Sequence, residues 1–212
     1  MAAALRQTAR AGRREHCLPR SSLSPRWPPR WKMVVVLGLL SVAATAWPGA
    51  LTALEWQRMA IDDGDWLRLL GAHVAHLGVR HLLFNLLGLA LLAELLMERW
   101  RAADLASLCV ASALGTSLLL WRCEPGLQWY AGLSGLLHGL WGGAALSGWL
   151  GTRSRLHAGA LAALVAKLIW LNPATGASAD LPVVPAAHLY GAASGLAWAT
   201  LIHAWRRLRH LD

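Results

Sequence analysis

The sequence predicts an all-α membrane protein: a bundle of six transmembrane helices with both termini in the cytoplasm. Three observations carry this. The 212 residues are 56% hydrophobic and only 15% charged. Soluble domains hold about 25% charged and about 45–50% apolar residues, so this chain has too few charges to cover a soluble globule. The same deficit excludes a disordered chain. The apolar residues also come in continuous runs near the roughly 20 residues that a spanning helix needs. They do not alternate as the strands of a membrane barrel do. Finally, the net charge of +9 is spread over tails and short loops. Nucleic-acid binding needs a folded basic face, so no nucleic-acid partner is expected and the lipid bilayer is.

The elements follow in order. Residues 1–32 hold eight basic residues, one acid and four prolines. With no apolar period they read as a disordered cytosolic tail, in preference to an organellar transit peptide. The first run, 33–54, is 22 residues long and uncharged. That exceeds the apolar core of about 7–15 residues in a cleaved signal peptide, so it reads as a signal anchor. Further runs span 73–96, 105–121, 125–152 (loop-like at its start), 156–172 (holding Lys167) and 186–205. The predicted helical domain is 33–208, followed by a short tail at 209–212. Fifteen of the twenty Lys and Arg residues fall in the first tail, the 99–101 and 153–155 loops and the C-terminus. Cytoplasmic loops are the Lys/Arg-rich ones. Loops 55–72, 122–133 and 173–185 are therefore predicted to face outside.

Polar side chains at membrane depth are costly and usually face the bundle interior. The second run carries His73, His76, His81 and Asn85; the fourth, Gly132-Leu133-Ser134-Gly135 and then His138; the fifth, Lys167; the sixth, His188, Gly191 and Gly195. A serine at a helix start is placed beside free N–H groups that can bind an oxyanion. The bland alternative is a serine N-cap in a packing helix. His188, Gly191 and Gly195 share one helix face. Their small-xxx-small seam would meet Gly135 and Gly139, bringing His188 beside Ser134, where a histidine can take the hydroxyl proton. His81 and Asn85, four apart, present two neutral donors on one face; interhelical hydrogen bonding is their structural reading. His73 and His76 could share zinc, but no HExxH motif or third ligand accompanies them. Cys17, Cys109 and Cys123 have no metal-type spacing. No metal or cofactor is expected. Lys167 has two readings: a snorkelling or ion-paired structural residue, for instance with Glu94, or a group lining a wet site.

These residues resemble the rhomboid family of intramembrane serine proteases. Trp66-Leu67-Arg68-Leu69-Leu70, His76 and His81-Leu82-Leu83-Phe84-Asn85 are similar to its first outer loop and second helix. Gly132-Leu133-Ser134-Gly135 is similar to its GxSG motif, and Ala187-His188-Leu189-Tyr190-Gly191 with Gly195 to its AHxxGxxxG motif. The likeness covers about 33–208 and implies a six-helix rhomboid-like fold. It implies Ser134 as nucleophile and His188 as general base and acid, with no third acidic residue. It also implies an oxyanion hole of His81, Asn85 and the Ser134 N–H, with Gly132 admitting substrate backbone and His76 shaping the outer loop. His138 stands where many rhomboids have a tyrosine stacked on the catalytic histidine. The string from Gly132 to Gly139, and Lys167 before Trp170, look more like the rhombosortase branch, although Leu171 stands where that branch often has an acid. That branch implies a bacterial inner-membrane enzyme with its site facing the periplasm. Its substrates would be membrane-anchored proteins with a C-terminal sorting signal: a Gly-Gly pair, a membrane helix and a basic tail. The alternatives are a general rhomboid protease of broader specificity or a non-catalytic rhomboid-like helix-binding protein.

Overall fold

The computed structural model describes residues 27–170 and 184–209. Residues 1–26 of the tail expected to be disordered, and most of the 173–185 loop, lie outside these residues; residues 29–32 of that tail are helical, against the expectation. The described chain is helical apart from one short antiparallel ladder. Long helices are α1 (Pro29–Ala46), α5 (Val79–Leu96), α6 (Ala102–Cys123), α7 (Ser134–Thr152), α8 (Arg155–Trp170) and α9 (Pro185–Leu208). Short helices α2 (Ala50–Leu54), α3 (Arg58–Asp62) and α4 (Arg68–Gly71) fill the segment between α1 and α5. Strand β1 (Trp56–Gln57) pairs with β2 (Trp129–Tyr130), Trp56 opposite Tyr130.

Among the described residues, α1, α5 and α6 are long and apolar enough to cross a membrane by length and composition. Helix α7 departs from that pattern because it is built for packing. It touches α5, α6, α8 and α9, and its burial is unbroken from Gly135 to Leu140. A helix buried on all sides belongs to the core, and its glycines trade hydropathy for close approach. Its Leu140 and Ala144 share one core cluster with Leu89, Leu105 and Leu108. A second cluster, with Trp56, Ile61, Leu69, Leu120, Tyr130 and Ala187, closes the end of the bundle that carries Ser134.

Several helix limits differ from the apolar runs, and three have a visible cause. Helix α1 starts at Pro29, four residues before run one, because proline is preset for the first helical turn and Arg30 is engaged there. Its Nη1 donates to the Glu98 carbonyl at 3.0 Å, and its Nη2 lies 3.6 Å from the Glu94 carboxylate. Run one then breaks at Trp47, which is extended because Pro48 follows it. Helix α5 starts at Val79, after Gly78 at φ +151°, so His73 and His76 precede the helix on which the apolar run placed them. Their segment is held by turns instead, His73 N–H donating to the Leu70 carbonyl at 3.2 Å and Val74 N–H to that of Gly71 at 3.0 Å.

Candidate active site

The site is assembled where α7 begins. Gly132 sits at φ +131°, a region open to glycine, and its N–H donates to the Ala72 carbonyl at 2.8 Å. A Cβ at this position would stand 2.6 Å from Cε1 of His81, so only glycine lets that imidazole lie against the turn. Tyr130 fixes the other side. Its hydroxyl donates to the Gly132 carbonyl at 2.7 Å and accepts from the Gly135 N–H at 3.1 Å. Burial pushes the phenol up to about 12, so it keeps its proton and its donor role. Ser134 is the first residue of α7, and its own N–H is among the first-turn amides that have no intrahelical acceptor.

The β1–β2 pair sets Tyr130, and Arg58 anchors that pair. The Arg58 guanidinium donates to the carbonyls of Leu120, Trp121, Glu124 and Leu127 at 2.8–3.3 Å. They lie at the end of α6 and in the turn after it, where the Leu120 carbonyl also accepts from the Glu124 N–H and the Glu124 carbonyl from the Leu127 N–H. Trp56 Nε1 donates to the Ser117 carbonyl at 3.2 Å. Sequence reasoning missed Tyr130 and Arg58, since a lone tyrosine or arginine in a loop carries no spacing signal.

Helices α7 and α9 approach closely along a glycine seam. A Cβ on Gly191 would overlap the carbonyl oxygen of Gly135, and one on Gly195 the carbonyl oxygen of Gly139. Such contact needs glycine on both helices, and it brings the start of α9 to the start of α7. His188 is then buried, with its ring stacked on that of His138 at 4.1 Å between centroids and 16° between planes. His138 is held in turn by Nδ1, 2.7 Å from the Ser134 carbonyl.

One cavity of about 580 Å³ gathers Ser134, His188, His81, Asn85, His138 and Lys167. It lies between α5 and α8, with α7 at its back. Ser134 and His188 face it together, without a direct hydrogen bond to each other among the described residues; such bonds are often long before substrate binds. Asn85 is buried and its Nδ2 has no partner there, leaving a donor at the wall. His76 is behind the cavity. It meets His81 edge-on at 5.1 Å, and its Nδ1 lies 3.0 Å from the Val74 carbonyl. Gly132, Gly191 and Gly195 shape the walls without lining them. Lys167 faces the cavity, in electrostatic reach of His138 and His188. It is not paired with Glu94, which takes Arg30 instead. His73 and His76 do not converge: His73 Nε2 meets the Ala113 carbonyl at 3.0 Å and Ser117 Oγ at 3.1 Å. No group of three His, Cys, Asp or Glu suited to a metal occurs among the described residues.

The rhomboid-domain family model matches residues 63–205, a stretch that holds the whole of this cavity. The chain belongs to the rhomboid family. Rhomboids are in general intramembrane serine proteases acting on membrane-protein substrates within the bilayer, and the apolar helices here agree with a multi-pass membrane protein. No curated protein matches the chain.

Proposed function

We propose that this rhomboid is an intramembrane serine endopeptidase of the rhombosortase kind. The observation that supports it most is the single cavity that holds Ser134, His188, His81 and Asn85. Ser134 Oγ attacks the scissile carbonyl as His188 takes its proton. The oxyanion is received by the Ser134 N–H, His81 and Asn85 Nδ2; donors placed where charge develops give the largest single contribution to such catalysis. His188 then protonates the leaving amine. Water attacks the acyl-enzyme, giving its proton to His188, and Ser134 Oγ leaves and recovers that proton.

In this reading α1, α5, α6, α7, α8 and α9 are six spans, both termini are cytoplasmic, and the site opens toward the periplasmic face of a bacterial inner membrane. A substrate helix enters beside α5 and α8. A Gly-Gly pair lets it unwind, since glycine weakens a helix by about 1 kcal/mol per residue. The substrates are membrane-anchored proteins with a C-terminal signal of Gly-Gly, membrane helix and basic tail.

The test is co-expression with a single-span reporter that carries this signal. Cleavage beside the Gly-Gly pair, lost on its replacement by Leu-Leu, is the expected result. Equal cleavage of both reporters would replace sorting-signal specificity by a general rhomboid activity. No cleavage of either, beyond that with Ser134→Ala, would overturn the protease reading and favour a helix-binding role.

A further inference from the structure

The end of the bundle away from Ser134 has a cavity of its own. Helix α7 carries the chain from Ser134 to Thr152, a rise of about 27 Å. At its far end a space of about 460 Å³ lies among the ends of α5, α7 and α9 and the starts of α6 and α8. The titratable side chains that line it are Arg99, Arg206, Glu98, Asp104 and His157. Trp100 and Trp198, stacked at 5.7 Å between centroids, line it too. Tryptophan is enriched where membrane meets water. The His157 ring lies against α7, where a Cβ on Gly148 would overlap it. None of these residues has a part in the proposed chemistry.

The charges favour an anion. Arg206 donates from one Nη to Asp104 at 2.6 Å, which leaves most of its five N–H donors free. Arg99 enters no ion pair among the described residues. Glu98 is the one lining carboxylate left against these two guanidiniums. Arg101, Arg153, Arg155 and Arg207 flank the same end of the bundle. The nearby Glu94 is taken by Arg30, so the local field is positive.

The cavity also continues into an apolar groove. Leu95, Leu96 and Leu156 line both this cavity and the one that holds Ser134. Beyond them the wall is Leu91 and Leu92 on α5 and Gly159, Ala160 and Ala163 on α8. A Cβ on Gly159 would meet nothing within 4 Å, so the groove is open there. From Leu156 to Lys167 it follows α8 for about 16 Å. That is close to half of the hydrocarbon core of about 30 Å, the reach of one leaflet's acyl chain. A charged pocket joined to an apolar groove of this length has the form of a phospholipid. A soluble phosphate would leave the groove unused, and a bare acyl chain would leave the arginines unused.

We propose that this cavity binds an anionic phospholipid of the nearer leaflet, its phosphodiester held by Arg99 and Arg206 and one acyl chain laid in the groove between α5 and α8. Basic pockets between membrane helices hold anionic headgroups by the same chemistry. In the proposed orientation the nearer leaflet is the cytoplasmic one.

Native mass spectrometry of the full-length protein, released from phosphatidylcholine bilayers doped with phosphatidylglycerol, tests this. The expected result is one phosphatidylglycerol retained in preference to phosphatidylcholine. Arg99 is exposed between α5 and α6, so Arg99→Gln leaves the fold intact. It should weaken retention about fivefold, the worth of one arginine beside anionic lipid. Gly159→Leu fills the groove where space is open and should release the lipid. Equal retention of the two lipids, or wild-type retention by Arg99→Gln, would overturn the headgroup site. Wild-type retention by Gly159→Leu would overturn the placement of the chain. Binding of glycerol 3-phosphate as tightly as phosphatidylglycerol would make this a site for a soluble phosphate ester and overturn the lipid assignment. Every readout is binding without cleavage, so failure of the protease reading would leave the lipid site standing.

Discussion

At the scale of single residues, the site depends on what glycine omits. Gly191→Ala would drive a methyl into the Gly135 carbonyl oxygen. Overpacking of this kind costs about 1–3 kcal/mol, and the expected outcome is a lower unfolding midpoint in a urea titration in mild detergent. An unchanged midpoint would show that α7 and α9 can separate freely. Gly132→Ala acts differently. It pushes His81 off the turn and strains a φ of +131°. Misplacement by about 1 Å costs on the order of 100-fold in rate, so reporter cleavage should fall by that order while the protein still folds. Wild-type cleavage by Gly132→Ala would remove His81 from the oxyanion hole.

The glycine seam was legible in the sequence because its spacing is a packing instruction. Gly135 and Gly139 against Gly191 and Gly195 can mean little else at membrane depth. His138 was legible as a position facing the site, but its hydrogen bond to the Ser134 carbonyl was not. That bond depends on a rotamer, which residue spacing does not encode. Lys167 was open between two readings because a lone lysine on an apolar run fits either. Arg30, a residue that charge counting had put in the tail, takes Glu94 and so removes that one partner.

At the scale of elements, the short β1–β2 ladder and Arg58 hold the turn before α7. Their worth can be separated from charge. Arg58→Lys keeps the cation but cannot reach four carbonyls with a fixed planar fork. It should cost about 2–3 kcal/mol, the value of charge-assisted bonds lost at buried carbonyls. The unfolding midpoint again reads this, and equal midpoints for Arg58→Lys and wild type would contradict it. The limits of α1 and α5 show where hydropathy alone misleads. Apolar runs ignore Pro48 and Gly78, yet these two residues decide where the helices stop and start. The segment from His73 to Gly78 is apolar enough to read as helix, but it is held by turns and by contacts that arrive from α6 and the Gly132 turn.

At the scale of the molecule, the charge pattern supplies a topology that labelling can test. Cys123 is exposed at the end of α6, and Cys109 is half-buried within it. Under the proposed orientation, a membrane-impermeant maleimide applied to intact spheroplasts should modify Cys123 and spare Cys109. Labelling of Cys123 only after the membrane is opened would invert the bundle and place the cavity on the cytoplasmic side. Three helices declare themselves by apolar length, whereas α7, α8 and α9 carry the glycines, the lysine and the histidine that make a site.

The central claim is that Ser134 is a nucleophile activated by His188. A fluorophosphonate applied to the purified protein in detergent, followed by peptide mass mapping, tests it most directly. The account predicts one adduct, on Ser134, absent from Ser134→Ala and reduced at least about 100-fold in rate in His188→Ala, as loss of a general base requires. Labelling that persists unchanged in His188→Ala, or an adduct at any other serine with Ser134 unmodified, would contradict it.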